Sequence, residues 1–222
     1  MNSTTKFLSG HGNAMGGAII DSGTFDWAQN DKYPSLAQPE EAYHGLNFYE
    51  SFGDLAYTTY GHAVGLRDLG PTMAPMNAYL TIMGIETLAL RMEKHVANAE
   101  VVANYLHNHE KVSWVSYAGL EESKYFHLAK KYLPKGAGSV FTFGIKGGYD
   151  AGVEFVEKCQ LLSHLANIGD TRSLVLHPAS TTHRQLSETQ RISAGAGDDV
   201  IRLSIGLETV EDIVADLAQA LR

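Results

Sequence analysis

The sequence has little of what a disulfide-stabilised or nucleic-acid-binding protein needs. Its 222 residues include one cysteine, Cys159, so an intrachain disulfide is impossible. This fits a reducing compartment, where disulfides are rare. Basic residues are outnumbered, with 17 Lys and Arg against 25 Asp and Glu and a formal net charge of −8. Because no basic surface is available to neutralise phosphates, we expect no nucleic-acid partner.

Long apolar runs are also missing. No stretch approaches the roughly 20 apolar residues that cross a bilayer. The N-terminus lacks the charged and then apolar regions of a secretory signal. We therefore expect no membrane partner and a cytoplasmic location. Hydrophobic residues nevertheless make up 44% of the chain, which is enough for the core of a globular protein of this length.

The apolar pattern predicts an α/β protein. Gly16 to Ile20 has the composition of a short buried strand. The run at 76–109 is the strongest helical signal, and its length predicts a bend or break near Gly84. Later segments indicate strands at 112–117, 139–145, 173–176 and 200–205, and helices at 150–165 and 208–222. The order β, β, α, β, β, α is typical of a small α/β sandwich.

The first residues carry most of the chemistry. Lys6 follows three hydroxyl side chains, Ser3, Thr4 and Thr5, and precedes a glycine-rich run. A buried lysine amine tends to be neutral and can then attack an aldehyde, while hydroxyls and backbone N–H groups can bind a phosphate. The alternative is a solvated lysine on a loose tail, because most lysines are exposed. Since termini usually fray, such a start suggests that the chain begins inside something larger.

Other polar residues allow weaker interpretations. His177 and His183 lie six residues apart without further ligands at metal-binding spacing, so we expect no metal site and no catalytic role for either. His11 is expected to support the lysine segment through hydrogen bonds. Arg202 lies in the apolar run VIRLSIGLE, where a charge requires a partner. That partner is either a ligand carboxylate or a buried carboxylate of the chain.

Several segments together resemble one enzyme family. They are STTKFLSGHGNAMGGAIIDSGTFDW, PMNAYLTIMGIETLALRMEKH, HLANIGDTRSLVLHPASTTH and IRLSIGLE, in this order. Each is similar to a segment of the Cys/Met-metabolism enzymes that depend on pyridoxal 5'-phosphate (PLP). The resemblance implies the C-terminal part of a fold-type I PLP-dependent transferase. Residues 1–85 would be the end of the large cofactor domain, and residues 86–222 the small C-terminal α/β domain.

The resemblance also implies roles for individual residues. Lys6 would bind the cofactor covalently and act as the acid–base group, and Ser3 and Thr5 would bind its phosphate. Arg202 would bind the α-carboxylate of an amino-acid substrate. Asn167 would help to position that carboxylate, although a turn-forming role before Gly169 is an equal alternative. The resemblance also places Ser173 near the substrate entrance.

The long stretch between the lysine segment and the long helix is similar to that of the O-acetylhomoserine sulfhydrylase branch. The implied reaction replaces acetate at Cγ with sulfide or methanethiol and gives homocysteine or methionine. Methionine γ-lyase and cystathionine γ-synthase activities remain alternatives within the family. The resemblance further implies a homo-oligomer, a dimer of dimers at full length.

The family's phosphate loop, ring-stacking aromatic and pyridine-nitrogen carboxylate all precede the lysine. None of them has a counterpart in this sequence. We therefore expect the chain alone to hold PLP poorly, and a non-catalytic role as a fragment or assembly module stays open.

Overall fold

The computed structural model describes all residues from 1 to 222, which form two compact units. The first unit comprises residues 1–3 and 16–78. The second comprises residues 4–15 and 79–222. No helix is both long enough and apolar enough to cross a membrane. The predicted domain division at residue 85 stays a prediction.

The first unit consists of short elements. Strands β1 (Asn2–Ser3) and β2 (Gly17–Ala18) pair in antiparallel fashion. The helices are α1 (Pro34–Ala37), α2 (Phe48–Phe52) and α3 (Ala56–Tyr60), with a π-helical turn at Gly61–Asp68 and 3-10 turns at Glu41–Tyr43 and Gly53–Leu55. The Phe48 side chain is almost fully buried and packs edge-on against Tyr43 and Tyr60. Aromatic packing thus replaces long regular elements in this unit.

The predicted buried strand at Gly16 to Ile20 is wrong for this chain. Only Gly17–Ala18 forms a strand, and its partner β1 is equally short. Ile19 and Ile20 are 56% and 77% exposed. The segment is apolar as expected, but no other part of the 222 residues packs over the side chains of Ile19 and Ile20.

Two consecutive helices form the long helical run. Helix α4 spans Pro75–Glu86 and α5 spans Leu88–His107, with the break at Thr87. The expected interruption therefore exists, but it lies three residues after Gly84, which is a buried interior residue of α4. A glycine inside a helical pattern can mark a close approach of another backbone as well as a break.

A five-stranded mixed sheet forms the centre of the second unit. Its strands are β3 (Val112–Ser116), β4 (Val140–Ile145), β5 (Ser163–His164), β6 (Leu174–Leu176) and β7 (Val200–Ser204). Their spatial order is β3-β4-β7-β6-β5, with β7 in the middle. All neighbours pair in antiparallel fashion except β5 and β6, which are parallel.

The remaining helices are α6 (Phe126–Tyr132), α7 (Gly148–Lys158), α8 (Glu188–Ser193) and α9 (Val210–Ala220). One face of the sheet carries Ile201, Leu203 and Ile205 into a core shared with α5, α7 and α9. Because strand side chains alternate, Arg202 and Ser204 lie on the opposite face of β7. This alternation leaves polar side chains of the central strand for the site described below.

The long predicted elements of this unit are confirmed, with boundaries shifted by a few residues. The helix predicted to reach residue 165 ends at Lys158, where the chain turns into β5. Helices α6 and α8 were not predicted. Both are short, at seven and six residues, and such elements carry little periodic signal.

A buried carboxylate anchors α9 to the segment after α7. Asp216 is 6% exposed and accepts hydrogen bonds from the backbone N–H groups of Gln160, Leu161 and Leu162 at 2.8, 2.9 and 3.0 Å. Burial alone would raise the pKa of Asp216, but the three N–H groups and the Gln219 amide outweigh burial, so the pKa is lowered. The folded state therefore binds this proton more weakly than the unfolded state does.

We predict that Asp216→Asn lowers the free energy of unfolding at pH 7 by about 2 kcal/mol, because an amide meets these N–H groups less well than a carboxylate. The lowered pKa stabilises the fold above the unfolded-state pKa of about 3.9, and this contribution disappears as the pH falls through the folded-state value. Urea unfolding of the parent chain and of Asp216→Asn should show a smaller difference in the free energy of unfolding at pH 3 than at pH 7. The exposed Asp212 on the same helix offers the matched control Asp212→Asn. An unfolding difference for Asp216→Asn that does not change with pH would contradict the assignment.

Candidate functional site

Lys6 lies in a tight turn of the second unit. The segment Thr4–Leu8 is nearly helical, but Lys6 itself departs from helical geometry, with φ −90° and ψ −131°. Backbone hydrogen bonds from Ser9 N to Thr4 O (3.0 Å) and from Gly10 N to Lys6 O (2.8 Å) close the turn. We call residues 4–12 the lysine loop. The turn fixes the backbone position from which the Lys6 side chain extends, which a loose tail would not do.

Two residues predicted from the sequence, Lys6 and Arg202, both form a hydrogen bond to a third, Asn167. The Lys6 amine Nζ donates to the side-chain Oδ1 of Asn167 over 2.5 Å. The Arg202 guanidinium Nη2 donates to the main-chain oxygen of Asn167 over 3.4 Å. All three side chains are half-buried. An amine, an amide and a guanidinium therefore converge although 161 positions separate Lys6 from Asn167.

Arg202 has no carboxylate partner within the chain. None of the five ion pairs includes it, so the structural ion pair considered as an alternative is wrong. Burial lowers the pKa of Arg202, although the guanidinium stays protonated. A guanidinium carries five N–H donors, and one long hydrogen bond leaves most of them for a ligand or solvent. Such a group is suited to a two-pronged interaction with a carboxylate.

A short loop carries Asn167 and touches both the sheet and the lysine loop. We call residues 167–171 the Asn167 loop. Gly169 N donates to Ser204 Oγ at 2.9 Å, and Thr171 N donates to Gly10 O at 2.8 Å. Ser204 and Arg202 are two residues apart on β7, so the same face of the strand fixes the Asn167 loop twice.

Ser173 does not join this cluster. It is fully buried, its hydroxyl donates to Glu208 Oε2 at 2.8 Å, and the hydroxyl oxygen accepts from Gly206 N at 2.8 Å. Its hydrogen-bonding capacity is thus used inside the fold. The substrate role predicted for Ser173 stays a prediction, and this geometry does not support it.

The hydroxyl residues before Lys6 have different surroundings. Ser3 belongs to β1 of the first unit, where it pairs with Gly17 and is exposed. Thr5 is half-buried, and its carbonyl accepts from Ser9 Oγ at 3.3 Å. The Thr4 hydroxyl is buried and has no hydrogen-bond partner. The phosphate-binding roles predicted for Ser3 and Thr5 stay predictions.

The histidines have local roles. His11 Nδ1–H donates to Ser9 O at 2.6 Å, which agrees with the expected support of the lysine loop. His177 is fully buried, with Nδ1 2.9 Å from Ser180 Oγ and Nε2 2.9 Å from Asp198 O. No group of three His, Cys, Asp or Glu side chains is placed to hold a metal ion.

Two residues that contact the lysine loop, Arg91 and His95, carry no motif that the sequence pattern identifies. Arg91 and His95, on α5, are both buried. The His95 ring meets the Phe7 ring edge-on at 5.4 Å, and burial lowers the pKa of His95. Gly84 and Arg91 lie seven residues apart on either side of the break at Thr87, and Arg91 Nη2 donates to Gly84 O. That spacing, a glycine followed by an arginine in an apolar run, was the available signal.

The chain is similar to known enzymes over nearly its whole length. It is 49% identical to the homocysteine synthase of Schizosaccharomyces pombe over 221 residues and 46% identical to O-acetyl-L-homoserine sulfhydrylase 1 of Thermus thermophilus over 220. Each match covers 99% of this chain and 52% of the relative, so the chain spans about half the length of the curated relatives.

A solved structure gives the same result. It comes from Campylobacter jejuni, is described as an O-acetylhomoserine (thiol)-lyase, and contains N'-pyridoxyl-lysine-5'-monophosphate. The TM-score is 0.90 at 41% identity, with 98% of this chain and 52% of that chain covered. The family description "Cys/Met metabolism PLP-dependent enzyme" matches residues 1–222. This chain therefore belongs to the family of Cys/Met-metabolism PLP-dependent enzymes and corresponds to its C-terminal half.

Proposed function

We propose that the protein to which this chain belongs replaces the acetate of O-acetylhomoserine with sulfide or methanethiol, giving homocysteine or methionine. The observation that carries the proposal is the convergence of the Lys6 amine and the Arg202 guanidinium on Asn167. The names of relatives at 46–49% identity support the substrate class. Because the chain spans about half the length of those relatives, the activity is proposed for a protein that combines this chain with the remaining half.

The side chains around Lys6 fit PLP. An amine held by an amide oxygen is available to an aldehyde, and the buried Thr4 hydroxyl without a partner shows unused polar capacity in the same turn. Lys6 would bind the cofactor covalently, with the hydroxyls of Ser3 and Thr5 on its phosphate. When bound, PLP supplies an electron sink for negative charge that develops at the substrate carbons.

The residues of the chain would divide the remaining work. Arg202 binds the α-carboxylate through paired N–H donors, since it has no competing carboxylate. Asn167 accepts from Lys6 Nζ and so aims that nitrogen at a substrate held by Arg202. Lys6 Nζ takes and returns protons at Cα and Cβ as a positioned acid–base group. In this proposal the proton transfers depend on the Lys6 amine, and the Asn167 amide sets the orientation of that amine.

We further propose that the chain works in the cytosol as part of a larger assembly. Helix α4 and the start of α5 expose large apolar side chains, with Tyr79, Ile82 and Leu90 at 58%, 58% and 70%. Helices that are apolar on every side are normally covered. Further protein, either the other half of the enzyme or a second subunit, is expected over this surface.

We predict that Lys6 is the preferred site of PLP attachment in the chain itself. Borohydride reduction makes each attachment permanent, so weak binding still accumulates label. Mass spectrometry of the peptides should find the label mainly at Lys6, and Lys6→Arg should remove it from that peptide. The exposed Lys135 serves as the internal control. Equal labelling of both lysines would count against the proposed site.

We predict that Arg202 is needed for substrate binding in a complete enzyme. The 222 residues can be joined behind the N-terminal half of the Schizosaccharomyces pombe relative, and homocysteine formation from O-acetylhomoserine and sulfide measured. Arg202→Lys should lower kcat/KM about 100-fold, because an ammonium cannot reproduce the paired donors. The change should appear mainly in KM.

The exposed Arg184 provides the control, since Arg184→Lys keeps the same chemical change away from the site. An Arg202→Lys enzyme with the parent's KM would exclude the carboxylate role. A chimera that breaks down methionine but does not use sulfide would instead favour the γ-lyase activity.

A further inference from the structure

Arg91 is a buried cation without an anion. The side chain is 5% exposed, and no ion pair in the chain includes it. Burial lowers the pKa of Arg91. Burying a charge costs free energy unless strong hydrogen bonds replace its water. The position of this guanidinium therefore requires an explanation in terms of what it binds.

Its partners are main-chain carbonyls on two sides. Nη2 donates to Gly84 O at 2.7 Å, to Phe7 O at 2.9 Å and to Leu8 O at 3.4 Å. Nε donates to Thr87 Oγ1 at 3.2 Å. Phe7 and Leu8 are the two residues that follow Lys6, whereas Gly84 and Thr87 mark the end of α4. One side chain thus joins the lysine loop to the junction of two helices.

The two backbones approach too closely for ordinary side chains. A Cβ at Gly84 would collide with the carbonyl oxygens of Ser9 and Leu8. A Cβ at Gly10, where φ is +75°, would collide with the Arg91 guanidinium. Two glycines therefore make room for the loop and for the arginine that holds it.

The opposite side of the lysine loop is fixed as well. Thr171 of the Asn167 loop bonds Gly10 O, and a Cβ at Gly169 would lie 2.8 Å from Phe7 N. The turn that carries Lys6 is therefore held between Arg91 on one side and the Asn167 loop on the other. Asn167 Oδ1 also accepts a hydrogen bond from Lys6 Nζ. A shift of the turn that carries Lys6 would therefore change the distance between Nζ and Asn167.

We propose that Arg91 is a positioning residue for Lys6, acting through the carbonyls of Phe7 and Leu8. The proposal rests on the proposed function, because it assigns Lys6 as the reactive amine. No hydrogen bond joins Arg91 to the Lys6 amine or to the Arg202 guanidinium. Its effect is to fix the direction from which the Lys6 side chain leaves the backbone.

The test compares the 222-residue chain with Arg91→Met and Arg91→Lys. Amide hydrogen exchange at Ser9 and Gly10 reports on the turn, since these N–H groups close it. Exchange at both should accelerate about tenfold in Arg91→Met, because the carbonyl anchors are lost. Arg91→Lys, which keeps a charged donor, should restore part of the protection even if Arg91→Met folds poorly. The preference of labelling by PLP and borohydride for Lys6 over Lys135 should be highest in the parent chain, lower in Arg91→Lys and lowest in Arg91→Met.

Asn98→Ala is the matched control. Asn98 is also buried on α5 and also donates to two carbonyls, those of Gly206 at 3.0 Å and Glu208 at 2.9 Å, outside the lysine loop. It should lower the midpoint of thermal unfolding without changing exchange at Ser9 and Gly10 or the labelling preference. Parent-like exchange in Arg91→Met, or equal acceleration in Asn98→Ala, would overturn the proposal.

The two assignments fail separately. A parent chain that shows no preference for Lys6 would reject the proposed function. The exchange measurement would still decide whether Arg91 fixes the turn.

Discussion

The close approach of the lysine loop to the end of α4 is the constraint on which the site depends. At Gly84 no side-chain atom separates the two backbones, and Arg91 fills the remaining space with hydrogen bonds to three carbonyls. This contact holds the backbone of the residues that directly follow Lys6. The sheet fixes Asn167 in a similar way, because Arg202 and Ser204 on one face of β7 both form hydrogen bonds to the Asn167 loop.

Much of this site could be predicted from the sequence, because the residues that converge on Asn167 lie in recognisable segments. The motif around Lys6, the amide in LANIGD and the lone charge in VIRLSIGLE each identified a residue that the fold brings together. The long strands and helices of the second unit were also predictable, since apolar periodicity reflects burial on one face. For Arg202, however, the sequence left a ligand and an internal ion pair equally open.

What could not be predicted depends on neighbours that are distant in sequence. Gly84 indicated a helix break, whereas its reason is a backbone some 75 positions away. The apolar run at Gly16 to Ile20 predicted burial, but composition does not state which residues supply the cover. Ser173 follows the Asn167 loop in sequence, yet its hydroxyl donates to Glu208. Each case is settled by a contact that periodicity and motifs do not encode.

The two arginines near the site show how one chemical group serves two purposes. In a chain with a net charge of −8, both Arg91 and Arg202 avoid carboxylates. Arg91 donates to carbonyls through Nη2 and to the Thr87 hydroxyl through Nε, whereas Arg202 makes a single long hydrogen bond. Guanidinium groups stay charged at any physiological pH, and carbonyls do not ionise. The hydrogen bonds that hold the turn therefore do not change with pH, because neither the Arg91 guanidinium nor the carbonyls gain or lose a proton in the physiological range.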